Sequence, residues 1–184
     1  MVILVRMARP LTGEPLALDL VNTWWIDQGR AVDFFDEPRG VRRWLAEHGL
    51  PDGAGDAGGT AVAPDAVREP LTAARDALRA ALAGDEQPLD AILAHGARRP
   101  LLRNGTAASE VVVDDPAWLP AWCAAADLVR LYAERPDRIR ACADSACVLW
   151  FYDVSKNGRR RWCSMEGCGN RAKAARFQDR HRTG

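Results

Sequence analysis

Four cysteines in the last quarter of the sequence, Cys142, Cys147, Cys163 and Cys168, fall into two matched pairs, with four residues inside each pair and fifteen between the pairs. Thiolates are soft ligands, and two nearby pairs can close a tetrahedron around Zn(II), each pair delivering two sulfurs from one tight loop. The spacing therefore predicts one structural Zn(II) per chain. With every coordination position taken by protein, no place is left for a reactive water, which sets such a zinc apart from a catalytic one. Two disulfides would need an oxidising compartment, and the apolar run Val2 to Val5 is too short for a signal peptide, with Arg6 and Arg9 close behind it. Four unrelated core thiols would not repeat a spacing. A cytoplasmic protein is the expectation.

Other groups able to do chemistry are few. Cys123 stands apart from the pairs in an apolar helical pattern with no neighbouring base, and is expected to pack. His48 and His95 lie beside helix-ending glycines, where an imidazole suits the negative end of the dipole, and His181 has no accompanying Ser or Asp motif. No nucleophile, base and orienting group can be assembled, so the chain is not expected to be an enzyme. The passage Glu14 to Trp25 is unusual in a different way, because Asp19, Asn22 and Thr23 are embedded among apolar residues. Such groups must be hydrogen-bonded if buried. Asp19 and Asn22 either cap neighbouring backbone or, with Thr23 and Trp24, line a ligand pocket.

Charge divides the chain. Residues 1 to 134 hold 13 Arg and no Lys against 20 Asp and Glu, a net of −7, whereas residues 135 to 184 hold 12 Lys and Arg against 5 Asp and Glu, a net of +7. Overall neutrality thus hides an acidic body joined to a basic C-terminal piece, the electrostatic footprint of a polyanion-binding module; the bland alternative is a solvated charged surface. No apolar stretch is long enough to span a bilayer, so no membrane partner is expected.

The elements that must carry these groups are mostly helical. Over Leu16 to Thr23 the periodicity fits a strand and a helical face alike, and a helix is the slight preference, with Pro15 near its first turn. Glu37-Pro38 opens a second helix through Val41, Trp44 and Leu45 to Gly49, and residues 51 to 63 read as a Gly-rich loop. A longer amphipathic helix runs from Pro64 to about Ala83, and a shorter one covers Leu89 to His95. Asn104-Gly105 is a hairpin turn signal with Val111 to Val113 as the returning strand, and Asp114 or Asp115 caps a helix beginning at Pro116 and ending near Pro136. In the basic piece, Cys142 to Cys147 forms a knuckle, Val148 to Val154 a strand, Asn157-Gly158 a turn and Arg159 to Trp162 a returning strand; Cys168 then opens a helix to about Arg182. Knuckle, hairpin and helix follow the order of a treble-clef finger, giving an α+β fold: a mainly helical N-terminal domain with a small β-hairpin over 1–134, and a zinc finger over 135–184. Lys173, Arg176 and Arg180 fall in one stripe of that helix, and Arg159, Arg160 and Arg161 add cations from the strand.

The segment Cys163-Ser-Met-Glu-Gly-Cys168-Gly169-Asn170-Arg171, with Asn157 to Trp162 and the first cysteine pair before it, resembles the CGNR zinc-finger family. Leu18-Asp-Leu-Val-Asn-Thr23 and Arg43 to Leu50 similarly resemble the ABATE domain found ahead of that finger. The resemblance covers nearly the whole chain and implies a stress-induced transcription regulator, with an N-terminal domain that binds an unidentified small molecule and a finger that binds DNA. Asn170 and Arg171, immediately after a zinc thiolate, are expected to support the metal site more than to touch bases. Two functions remain open on the residues: a DNA-binding regulator, with a homodimer as the arrangement such proteins often adopt, and a zinc-stabilised protein-interaction or dimerisation module.

Overall fold

In the computed structural model residues 8–50 and 64–182 are described, so the glycine-rich segment expected to form a loop over 51–63 lies outside the described residues. The order begins with α1 (Leu16–Val21), β1 (Trp24–Asp27), β2 (Arg30–Asp33), α2 (Gly40–Glu47), α3 (Pro64–Leu82) and α4 (Gln87–Leu93). It continues with β3 (Gly96–Arg103), β4 (Thr106–Val113), α5 (Leu119–Glu134), β5 (Ile139–Ala141), β6 (Trp150–Tyr152) and α6 (Asn170–Arg182). Each sheet is a two-stranded antiparallel pair: β1 with β2, β3 with β4, and β5 with β6. The fold is α+β, with the four cysteines gathered in the C-terminal region.

The six-residue α1 is too short to hold itself together in water. Packing supplies what propensity cannot: Ala17, Leu18, Leu20 and Val21 are wholly buried, and the helix is wedged among α3, α5 and β6. Asp127 on α5 accepts the Ala17 N–H at 3.0 Å, satisfying one of the donors exposed at the start of α1. Val67, Leu71, Ala74, Leu78 and Ala81 line the inner face of α3 at helical spacing, as the sequence pattern requires. Asp115 accepts the Ala117 N–H at 2.9 Å and starts a single tight turn that leads into α5.

Both N-terminal hairpins turn through two left-handed residues, Gln28-Gly29 (φ 47° and 79°) and Asn104-Gly105 (φ 49° and 77°), the geometry that matches strand twist. The second was signalled by Asn-Gly. The first, with Gln in place of Asn, was not anticipated: Trp24-Trp25-Ile26 and Ala31-Val32 were the available strand signal.

One expected strand does not form. Arg159 to Trp162 is irregular, and β6 pairs instead with β5, upstream of the first cysteine pair, with Arg140 opposite Phe151. The cause lies in two side chains. Arg160 turns inward over the Phe151 ring, 4.3 Å from its centroid, and donates to the carbonyls of Trp162 and Cys163. Buried Asp153 accepts the backbone N–H groups of Ser155 (2.9 Å) and Arg160 (3.0 Å), so the chain curls away before a ladder can close. The Arg161 carbonyl bonds the knuckle at Ala143 N–H instead, at 2.8 Å.

Candidate metal centre and its seat on the N-terminal unit

The knuckle Cys142 to Cys147 is closed by Asp144, which accepts the Ala146 N–H at 3.1 Å. Ser164 starts the second ligand loop by accepting the Gly167 N–H at 3.0 Å, and the chain then makes one wide turn over Met165–Gly169 into α6. These two loops bring the Sγ atoms of Cys142, Cys147, Cys163 and Cys168 within 4.8 Å of one another. Cys147 and Cys163 sulfurs lie 3.8 Å apart, and those of Cys163 and Cys168 3.4 Å apart. Sulfurs about 2.3 Å from a common tetrahedral centre stand roughly 3.8 Å from each other, so the donor set fits such an ion.

Crowding of the four sulfurs splits their protonation when no ion is present. A hydrogen bond from Cys163 pulls Cys147 down to about 5, the same contact pushes Cys163 up, and burial pushes Cys168 up to about 12. The sulfurs cannot all be anionic without a cation among them. Arg171 supplies part of that charge from outside, donating through Nη2 to Cys168 Sγ at 3.0 Å while held by Asp144 at 2.9 Å. Asn170 reaches only back along its own turn, to the Glu166 carbonyl at 3.2 Å. Asp144 was not singled out from the sequence, although an Asp two residues after a knuckle cysteine is a turn-closing signal.

The remaining predicted cations divide. Arg159, Arg161 and Lys173 are exposed, Arg161 lying over the Trp162 ring at 5.1 Å. Arg160 is instead committed to the interior contacts described above. The side chains of Arg176 and Arg180 lie outside the described residues, as does that of His181. Arg159, Arg161, Trp162 and Met165 border an open cleft of about 460 Å³, with Met165 53 % exposed at its rim.

The finger sits directly on the N-terminal unit. Asn22, 0 % exposed, donates through Nδ2 to the Trp150 carbonyl (2.8 Å) and accepts the Trp150 N–H on Oδ1 (3.0 Å), acting as a strand partner for β6. Glu14 accepts the Tyr152 N–H at 2.8 Å and lies 3.5 Å from Arg160. Cys142, Leu149, Phe151, Cys163 and Cys168 belong to the same apolar cluster as α1 and α3.

The polar residues of the Asp19 passage are thus spent on protein. Asp19 accepts from Arg9, Trp44 Nε1 (2.9 Å), His48 Nε2 (2.9 Å) and the Gly13 N–H (3.2 Å). Thr23 donates to the Leu20 carbonyl at 2.7 Å and accepts from Arg75 at 3.0 Å. Trp24 lies under Arg79, 4.8 Å from its guanidinium. Of the four residues expected around a ligand, only Asp19 borders a described cleft, of about 350 Å³, beside Arg9, Glu47 and His48. His48 is turned to this carboxylate and His95 stacks on Trp118 at 3.6 Å beside Asp114, so neither imidazole ring is devoted to a helix dipole. Cys123 is half-buried, and burial pushes its thiol up, consistent with packing.

Burial would push the Asp19 carboxyl up, but donation from His48 and the Arg9 guanidinium outweigh it and hold it below its usual range. A depressed folded-state pKa means that the unfolded chain binds the proton first as pH falls. This contribution is therefore complete above about pH 4 and is lost progressively below it. Urea midpoints measured across that range should fall with acid less steeply in Asp19→Asn than in the parent; parallel slopes would remove Asp19 from the acid sensitivity.

Among the described residues no helix is long and apolar enough to cross a membrane. The CGNR zinc finger family model matches residues 138–181, and ABATE, described as "Putative stress-induced transcription regulator", matches residues 14–135. No curated protein matches the chain. With the ABATE match covering more than half of the sequence and the CGNR match covering the four-cysteine cluster, the chain belongs to the ABATE family and carries a CGNR zinc finger after that domain.

Proposed function

We propose that this chain is a cytoplasmic DNA-binding transcription regulator, with an N-terminal domain over 1–134 and a finger over 135–184 held by one structural Zn(II) on Cys142, Cys147, Cys163 and Cys168. The observation that carries the reading is the exposed set Arg159, Arg161 and Lys173 on a metal-holding unit of net charge +7, set against a body of −7. Arginine suits both phosphate oxygens and guanine edges, and Arg176 and Arg180 extend the set along α6. Zinc supplies folding and fixes the two loops; it performs no reaction. The cleft beside Asp19 and Arg9 is where a small polar ligand of the N-terminal domain would sit.

A second reading, a protein-interaction module without DNA binding, is favoured by the contact of Glu14 with Arg160, which shows basic finger meeting acidic body. That contact consumes Arg160 and leaves Arg159 and Arg161 facing outward. A salt titration on random duplex DNA separates the two. The DNA reading expects a log-log slope of about −3 to −5 for four or five engaged cations, flattened by about 2 to 3 in the Arg159→Ala, Arg161→Ala, Lys173→Ala variant. Absence of binding at low salt would overturn it.

A further inference from the structure

Among the described residues, the β3–β4 ribbon is strikingly uncovered for its size. Most of both eight-residue strands is exposed, including Leu102 at 73 % and Val112. Its base packs, with Gly96 set so close to the Trp122 ring that an added Cβ would lie 2.8 Å from it. A free-standing pair of strands is marginal in water, and an open strand edge is a template for another strand.

The two edges are not equivalent. Arg103 and Thr106 flank the two-residue turn as a hydrogen-bonded pair, and the 3.0 Å bond from the Asp114 N–H to the His95 carbonyl carries the same alternation past the ribbon's base. Even-numbered residues of β3 and odd-numbered residues of β4 therefore turn their backbone polar groups outward. On β3 one of these is Pro100, which has no N–H and blunts that edge. On β4 they belong to Ala107, Ser109 and Val111, with neither proline nor charge among them.

We infer that β4 pairs antiparallel with β4 of a second copy of this chain, forming a four-stranded sheet whose two-fold axis passes at Ser109. In that register Ala107 faces Val111 of the second copy and Thr106 faces its Val112, small against large, and the outward groups of Ala107, Ser109 and Val111 close a continuous ladder. Charge selects this alignment over its neighbour: centring the pair on Glu110 would set the two Glu110 side chains directly opposite, whereas here each faces Ala108 and keeps its own Arg99, 2.8 Å away. Seven paired residues make a seam about 24 Å long. So narrow a contact falls short of the roughly 1,000 Å² of a stable interface, so the dimer is weak and reversible, with a Kd on the order of 10 µM. It would place two fingers in one particle.

Sedimentation of the full chain without nucleic acid tests this separately from the DNA reading. Between about 1 and 200 µM the weight-average mass should climb from 20.2 kDa toward twice that value. Ser109→Pro removes an outward N–H, as Pro100 does naturally, and leaves the ribbon's own ladder intact. Ser109→Lys places two cations face to face beside Arg98, whose Nη1 lies 3.2 Å from Ser109 Oγ. Each should raise the dissociation constant about tenfold or more with unchanged far-ultraviolet dichroism. A parent that stays at the mass of one chain, or association retained by either variant, overturns the pairing.

Discussion

Removing the metal with a chelator, or replacing Cys168 by Ser, is expected to unfold residues 139 to 182 and to lower the melting temperature of the rest of the chain. The finger has little regular structure of its own: β5 and β6 are three residues each, and the segment expected to extend them is irregular. In finger peptides a structural zinc contributes about 10–16 kcal/mol to the folded state. The loss would not stop at the finger, because Cys142, Leu149, Phe151, Cys163 and Cys168 share one apolar cluster with α1 and α3. Calorimetry of the full chain with and without chelator, paired with elemental analysis, makes the comparison. Cys123→Ser should behave like the parent, since Cys123 lies outside the cluster of sulfurs. An unchanged melting curve after complete chelation would show that the four sulfurs are not a folding site.

Asn22→Leu should be the next most damaging change. The substitution keeps the branched shape with somewhat more bulk and removes both polar contacts, leaving the Trp150 N–H and carbonyl facing an apolar surface. Each buried group left without a partner costs about 1–3 kcal/mol, so the pair costs about 2–6 kcal/mol. The damage should be local at first: amide exchange across β5 and β6 speeds up while α3 stays protected. Asn22→Asp is a sharper probe of the same geometry, since a carboxylate still accepts the Trp150 N–H but meets the Trp150 carbonyl with a second acceptor. Parent-like stability in both variants would mean that the finger is held by its apolar contacts and the Glu14 bonds, with no contribution from Asn22.

The four-cysteine cluster was legible because its spacing is a local property: two pairs of equal gap are visible in the chain itself. The helices from Pro64 to Leu82 and Leu119 to Glu134 were legible for a similar reason, with periodic apolar faces and, for the second, an Asp before a Pro. The partner of β6 was not. Strand pairing depends on what lies across from an edge, and Arg160 left that edge to bind Phe151, a choice made by an aromatic face that sequence order does not reveal. The roles of Asp19, Asn22 and Thr23 were half visible. Their polarity inside an apolar run announced burial, but the partners come from Arg9, α2, α3 and β6, up to 128 residues away. Asp19, Asn22 and Thr23 make three separate ties from neighbouring positions, each to a different part of the molecule.

The docking of a +7 finger on a −7 body has a consequence for how the molecule moves through solution. Opposite net charges on two units held against each other make an electric dipole, and the clasp at Asn22 keeps the basic unit from swinging free to relax it. In the field of a polyanion such a molecule experiences torque before it makes contact. On the DNA-binding reading proposed above it would arrive finger first, and salt should weaken that alignment before it weakens the final contacts.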